Sequence, residues 1–171
     1  MEEFRPWLLL APGLALLAYW CWQLRARRLR LGRFNHMVLH CARKGVAERA
    51  VKLTYVVDAP YTRGLRAALL VLLAGGDRAA GRAAFDAGFA EGYAAVRRLR
   101  WHAAAGLGLV ALALAWQDAR IALGAAGAAV VLLAVGAGLD WQLGQSRRAY
   151  PDIDEELAGL AGKQAELARS R

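Results

Sequence analysis

The residues with the clearest capacity to bind a metal are His36, His40 and Cys41, which lie close together in the sequence. Histidines four residues apart share one face of a helix, as zinc ligands can. A structural zinc site needs four ligands, and the chain has no second cluster of Cys, His or carboxylate residues to complete one. We therefore predict an ordinary amphipathic helix at this position, with no metal and no cofactor.

Motifs of the common enzyme classes are absent from the sequence. It contains no Walker loop, no GxSxG motif and no dinucleotide fingerprint. Gly106 and Gly108 are not followed by phosphate-binding residues, because they lie within a long apolar stretch. We predict that the protein is not an enzyme and that it has no catalytic residue.

The apolar residues, 58% of the chain, are concentrated in three runs without fixed charge. These runs cover residues 6–24, 101–117 and 121–139. Each is close to the length with which a helix crosses a hydrocarbon core of about 30 Å. Only residues 118–120 separate the last two runs, which predict a hairpin of two transmembrane helices. The first run follows the acidic sequence MEEF, which predicts an uncleaved anchor rather than a signal peptide.

Arginines near the ends of these runs predict the orientation of three spans, because Lys and Arg remain mainly cytoplasmic. The basic ends are the exit of the first span, the entry to the second and the exit of the third. The predicted topology has the N-terminus outside and the C-terminus in the cytoplasm of a bacterial inner-membrane, multi-pass protein. The tryptophans, Trp20 among them, lie at or near span ends like an interfacial aromatic belt. The residues assigned to topology and to anionic lipid head groups are Arg25, Arg27, Arg28, Arg30, Arg33, Arg97, Arg98 and Arg100.

Outside the spans, the sequence predicts helices and no strands, so the predicted fold class is all-α, an integral membrane protein with three transmembrane helices. It begins with an N-terminal transmembrane anchor (1–24), followed by a cytoplasmic helical insertion (25–100). The transmembrane hairpin (101–141) and a cytoplasmic helical tail (142–171) complete it. The anchor and the hairpin are predicted to form the membrane region, and the insertion and the tail are predicted to lie in the cytoplasm.

The insertion is predicted to contain three short helices followed by a long one. Glycines and the stretch around Pro60 separate the short helices, at about 33–44, 46–57 and 62–74. The long helix begins after Asp77, a favourable N-cap residue, and no breaker interrupts it before the second span. The second span is therefore predicted to have a long helical extension into the cytoplasm.

Side-chain spacing predicts how the long helix and the tail pack. Phe85, Phe89 and Tyr93 share one face of the long helix, which predicts core packing. A neighbouring strip of glycines would allow another helix to approach closely, and it consists of Gly81, Gly88 and Gly92. The tail carries a short heptad seam, which would pack on the long helix or on a neighbouring subunit. That seam consists of Ile153, Leu157, Leu160, Gln164 and Leu167.

The hairpin is poor in polar residues. Between residues 101 and 141 there is no Ser, Thr, Asn or Pro, and the ionisable residues of the spans are His102 and Asp140 at the cytoplasmic edge. Small residues at short helical spacings let helix backbones approach closely. We predict that the hairpin serves in helix packing, within the chain or with a partner, through Gly106, Gly108, Gly124, Gly127 and Ala128.

Two stretches of the cytoplasmic region carry a family resemblance. GVAERAVKLTYVVDAPYTRGLRAALLVLLAGGD (45–77) combines a short helix, an Ala-rich helix, a Pro break and a long helix, and FAEGYAAVRRLRWHAAAGLGL (89–109) leads into the second span. In these stretches and in its layout the chain resembles the TolQ/ExbB/MotA family of proton-channel subunits. The family's third span carries a Thr and a Pro that this hairpin lacks, so the chain resembles a divergent or degenerate member.

The resemblance implies a ring of subunits around a single-span ExbD/TolR-like partner, which contributes the protonatable Asp. The first functional hypothesis is an inner-membrane subunit that forms a homo-oligomer through its hairpin and supports such a partner in energy-coupled transport or motility. The alternative is a non-conducting membrane scaffold or anchor whose cytoplasmic helices dock a soluble partner. Nucleic acid is not a predicted partner, because the net charge of +9 is explained by arginines at the span ends next to the lipid bilayer.

Overall fold

A computed structural model describes residues 5–115 and 119–169, and 87% of it is helix, with no strand in this part of the chain. The predicted all-α class is confirmed. The helices are α1 (Arg5–Ala26), α2 (Leu31–Arg43), α3 (Ala47–Leu53), α4 (Pro60–Leu73), α5 (Arg78–Leu114), α6 (Ala119–Gln145) and α7 (Pro151–Arg169), and a 3₁₀ turn at Ser146–Ala149 joins the last two.

The chain divides into two compact units. The first comprises residues 1–26 and 95–141 and is called here the apolar unit. The second comprises residues 27–94 and 142–171 and is called the amphipathic unit. Residues 27–94 of the predicted insertion (25–100) thus fold in one unit with the predicted tail, whereas residues 25–26 and 95–100 belong to the apolar unit.

Helix α5 is the long helix expected after Asp77, and it runs without interruption from Arg78 to Leu114. The Asp77 carboxylate accepts a hydrogen bond from the backbone N–H of Ala80 at 2.7 Å. This bond satisfies one of the N–H groups that the first turn of a helix leaves without a partner. The N-cap expected at Asp77 is therefore present.

The core of the amphipathic unit is aromatic. The rings of Phe85 and Tyr150 stack with their centroids 3.9 Å apart, and Tyr61 meets Phe85 edge-on at 5.7 Å. The Tyr61 hydroxyl donates a hydrogen bond to Asn35 Oδ1 at 2.7 Å, and burial raises the pKa of Tyr61 well above its usual range. Phe89 is also buried, so the aromatic face predicted on the long helix packs in the core.

Helix α7 completes this core from the tail. Ile153 and Leu157 are buried in it together with Val38 of α2 and Leu65 of α4. The heptad seam therefore packs within its own unit. The side chains of Gln164 and Leu167 lie outside the described residues.

Glycines set the close approach between α4 and α5. A Cβ added to Gly64 would lie 2.8 Å from the carbonyl oxygen of Phe85, and one added to Gly88 would lie 2.9 Å from that of Arg63. A side chain at either position would therefore force the helices apart. The expectation that the glycine strip of the long helix admits a neighbouring helix is confirmed, and that neighbour is α4.

The second short helix is shorter than predicted. Helix α3 ends at Leu53, not at residue 57, and α4 begins at Pro60 rather than at residue 62. The Thr62 hydroxyl donates to the Val57 carbonyl oxygen at 2.7 Å and accepts from the Ala59 N–H at 3.1 Å. A residue before proline avoids helical geometry, and proline itself suits the first position of a helix. The turn before Pro60 is therefore wider than the sequence pattern suggested.

Candidate helix-association site

Two helical stretches are long and apolar enough to cross a membrane, judged by length and composition. They are Trp7–Arg43, which contains α1, and Ala122–Ala149, which contains most of α6. Within the described residues, the C-terminal part of α5, the second predicted span, is not among them. Within α5, the stretch without charged residues is short, because it lies between Arg100 and the end of the helix at Leu114. Of the predicted turn at residues 118–120, residue 118 lies outside the described residues, and helix α6 already begins at Ala119.

Helices α1 and α5 approach each other at two glycines. A Cβ on Gly13 would lie 2.9 Å from the carbonyl oxygen of Gly106, and a Cβ on Gly106 would lie 2.7 Å from that of Gly13. Leu17 and Val110 flank this contact and are fully buried. Gly106, one of the predicted packing residues, is thus placed at a close approach of two backbones within the chain, of the kind small residues permit in membrane helices.

Helices α1 and α6 meet where the Trp20 ring covers Gly136. A Cβ on Gly136 would lie 2.0 Å from Cζ3 of Trp20, so the ring occupies the space of a side chain. Next to it the Cys21 thiol donates a hydrogen bond to the carbonyl oxygen of Leu132 at 3.1 Å. Trp20 was expected in an interfacial belt, but it is only 5% exposed, because the missing side chain at Gly136 makes room for it.

An ion pair joins α5 and α6 at the edge of the apolar unit. Arg100 Nε donates to Asp140 Oδ2 at 2.8 Å, and Asp140 is buried. Arg100 was assigned to topology and lipid head groups, and the structure places it on this carboxylate. Close by in sequence, the His102 ring lies 5.6 Å from the Tyr19 ring. This pairing ties the start of the predicted second span to the end of the third.

The exposed side of α6 is broad and also carries Leu123, Val130 and Ala137; its small-residue part is called here the α6 stripe. It consists of Gly124, Gly127, Ala128, Val131, Val135 and Gly138, whose spacings of three and four residues place them along one side of a helix. All are exposed, and no described atom lies within 4 Å of a Cβ added at the three glycines. The residues of α6 that are buried against the rest of the unit, such as Ala125, Ala129 and Gly136, lie on a different face.

The predicted packing residues therefore fall into two groups. Gly106 is used inside the apolar unit, whereas Gly124, Gly127 and Ala128 lie on the α6 stripe. Gly108, on α5, also has no described atom within 4 Å of an added Cβ. Gly13, Trp20 and Cys21 take part in the packing without having been predicted. These three residues could be recognised only from the glycine or carbonyl group of another helix that lies opposite them. A single sequence does not show which residues lie opposite each other.

The remaining predicted head-group arginines are mostly exposed. Those with exposed side chains are Arg25, Arg28, Arg30, Arg33, Arg97 and Arg98, and Arg27 is half-buried. The His36 and His40 rings are parallel at 6.3 Å on the exposed side of α2. Over the described residues, no group of three or more His, Cys, Asp or Glu is arranged to hold a metal ion.

Comparison with protein-family models, with curated proteins and with solved structures finds no match to this chain. The relation to the TolQ/ExbB/MotA family accordingly stays a prediction from the quoted residues. What the protein does must be argued from its two apolar helices, its packing contacts and its uncovered face.

Proposed function

We propose that this chain is a multi-pass subunit of the bacterial inner membrane that forms a homo-oligomer through the α6 stripe. The observation that carries the proposal is the stripe itself, because it is apolar, glycine-rich and uncovered. Lipid tails are as apolar as the helix surface, so small residues promote association by allowing close van der Waals packing. The contact between Gly13 and Gly106 uses the same principle inside the chain.

We further propose three spans, with the N-terminus outside and the C-terminus in the cytoplasm. The core of the amphipathic unit supports this number. Phe85 stacks on Tyr150 across two segments of that unit, so both segments lie on the same side of any membrane. The chain between residues 94 and 142 then crosses the membrane an even number of times. If α6 is a span, the C-terminal part of α5 is a span as well.

Within the resemblance, the role we propose is that of a TolQ/ExbB-like subunit supporting a single-span ExbD/TolR-like partner in energy-coupled transport or motility. In that family the partner contributes the protonatable Asp and the ring supplies polar hydroxyls, whereas residues 101–141 of this chain contain no Ser or Thr. The contribution we propose for this chain is therefore structural, a ring held together by helix packing.

A second candidate function is a non-conducting scaffold whose amphipathic unit docks a soluble protein. A specific observation favours it, because Tyr55, Val56 and Leu70 are large apolar residues that are more than half exposed on that unit. Exposed apolar residues that lie together are common at protein interfaces. The two candidates share the membrane anchor and differ in whether the partner lies in the membrane or in the cytoplasm.

The assembly is tested with the full chain purified in detergent. Native mass spectrometry should give one defined homo-oligomer, and Gly124→Leu or Gly127→Leu should shift it towards monomer, since each adds a bulky side chain to the stripe. Ala137→Leu is the matched control, because Ala137 is an exposed small residue of α6 away from the stripe. A monomeric wild-type protein would rule out the proposed ring, and equal effects of all three variants would rule out the stripe as the interface.

A further inference from the structure

A basic groove lies within the amphipathic unit, where α5, the last residues of α6, the 3₁₀ turn and the start of α7 meet. Its volume is about 440 Å³, in the range of small-ligand sites. The residues that give it its chemistry are Arg82, Asp86, Gln145, Arg147, Arg148 and Tyr150. The proposed assembly makes no use of this groove.

The charge of the groove is positive. Three guanidinium groups face one carboxylate, which leaves two positive charges in excess. Arg147 is bound to that carboxylate, with Nη2 2.8 Å from Asp86 Oδ1. Among the described side chains, no ion pair engages Arg82 or Arg148. The groove therefore has one arginine fixed in position and two that are available to an anion.

Two carboxylates at the start of α7 are already paired with an arginine that does not line the groove. Asp154 and Glu155 at the start of α7 are both engaged by Arg78, with closest distances of 2.7 Å and 3.4 Å. Asp154 is buried, whereas Arg82 and Arg148 are exposed and line the groove.

Two stacked aromatic residues line the groove. Tyr150 is buried and stacks on Phe85, which also lines the groove. Burial is the main cause that raises the pKa of Tyr150 to about 12. Like an unperturbed tyrosine hydroxyl, that of Tyr150 is protonated at neutral pH. The buried aromatic pair lies beside exposed guanidinium groups that can bind an anion with several oxygen atoms.

The groove follows directly on the apolar part of α6. Gly144 and Gln145 belong to α6 and line the groove, and the apolar stretch Ala122–Ala149 is one of the two that could cross a membrane. A site so close in sequence to the end of a span lies near the depth of lipid head groups. Clusters of arginine at this position attract anionic lipids.

We propose that this groove binds a phosphate-bearing anion, either the head group of an anionic phospholipid or a free phosphate compound. The planar guanidinium group donates paired N–H bonds that match the geometry of phosphate oxygens. Arg82 on α5 and Arg148 on the 3₁₀ turn contact the phosphate from two sides, and Gln145 adds a neutral amide donor. Arg147 keeps its place through Asp86 and shapes the wall.

The test uses the full-length protein in a neutral detergent, with native mass spectrometry of bound lipid. Phosphatidylglycerol is the anionic probe, phosphatidylcholine the zwitterionic control, and inorganic phosphate and pyrophosphate are added as competitors. The variant Arg82→Gln/Arg148→Gln removes the two available guanidinium groups. The matched control, Lys44→Gln/Arg49→Gln, removes the same charge from exposed side chains elsewhere in the unit.

We expect the wild type to retain phosphatidylglycerol in preference to phosphatidylcholine. The groove variant should bind it about 30-fold more weakly, since two contacts of about 1 kcal/mol each are lost. Arg148→Gln alone should lower the affinity about fivefold, and this single variant keeps the test valid if the double variant is unstable. The control variant should bind like the wild type.

The competitors identify the source of the phosphate. Displacement of phosphatidylglycerol by pyrophosphate at low concentration would support a free phosphate ligand, and retention of the lipid in its presence would support a head group. Equal losses in the groove variant and in the control would overturn the proposal, as would equal binding of the two lipids. Bound phosphatidylglycerol is counted per protein chain, so the result can be interpreted even if the proposed homo-oligomer does not form.

Discussion

At the residue scale, two glycines of α5 have opposite surroundings although only one position separates them. A Cβ on Gly106 would meet the Gly13 carbonyl oxygen at 2.7 Å, whereas a Cβ on Gly108 would meet no described atom within 4 Å. Gly106→Ala should therefore destabilise the protein by about 1–3 kcal/mol, the usual range for overpacking. Gly108→Ala should stabilise it by up to about 1 kcal/mol, because alanine favours a helix more than glycine does.

Unfolding in mixed micelles of dodecyl maltoside and sodium dodecyl sulfate, followed by circular dichroism, measures both changes. The two variants carry the same added methyl group, so each serves as the control for the other. A shift in the same direction for both would mean that α1 and α5 do not approach at Gly13.

Gly106 and Gly108 also show what the sequence could and could not predict about the site. The spacing of small residues identified Gly106, Gly108, Gly124 and Gly127 as packing positions. It did not distinguish the glycine that contacts another helix of the chain from those that stay uncovered. Whether a glycine is covered depends on which residue of another helix lies opposite it. Trp20 shows this most clearly, since its burial depends on Gly136, which is more than a hundred positions away in sequence.

At the element scale, α5 belongs to both units, and its first turn depends on one side chain. The Asp77 carboxylate accepts the Ala80 N–H at 2.7 Å. Asp77→Ala should cost about 1 kcal/mol, the typical value of an N-cap, and Asp77→Asn should restore most of it because its amide oxygen accepts the same bond. Hydrogen exchange at Ala79, Ala80 and Gly81 should become faster in the alanine variant alone. Unchanged exchange in that variant would contradict the capping role.

The helices themselves were largely predictable, and their partners were not. Apolar periodicity and Asp77 were sufficient to predict α5, and the heptad spacing was sufficient to predict which face of α7 is buried. Spacing alone left open whether Ile153 and Leu157 pack on their own chain. The end of α3 was missed because a single hydroxyl, that of Thr62, organises the turn before Pro60.

At the scale of the whole molecule, our proposal of three spans rests on which segments share a core. The apolar part of α5 is the shortest candidate, and its composition alone does not identify it as a span. Arg78 nevertheless pairs with Asp154, and Phe85 stacks on Tyr150, so residues 27–94 and 142–171 form one unit. A chain with only α1 and α6 in the membrane would separate these segments on opposite sides and abolish the core.

Cysteine labelling in a background without Cys21 and Cys41 distinguishes the two topologies. We place single cysteines at Glu2, which precedes the first apolar run, and at Arg49 and Lys163, whose side chains are exposed. In intact spheroplasts a membrane-impermeant maleimide should label Glu2→Cys but neither Arg49→Cys nor Lys163→Cys, and all three should react after permeabilisation. Labelling of Lys163→Cys without Arg49→Cys in intact cells would indicate two spans. Because both sites belong to the unit that contains the aromatic core, their equal protection is the result that three spans require.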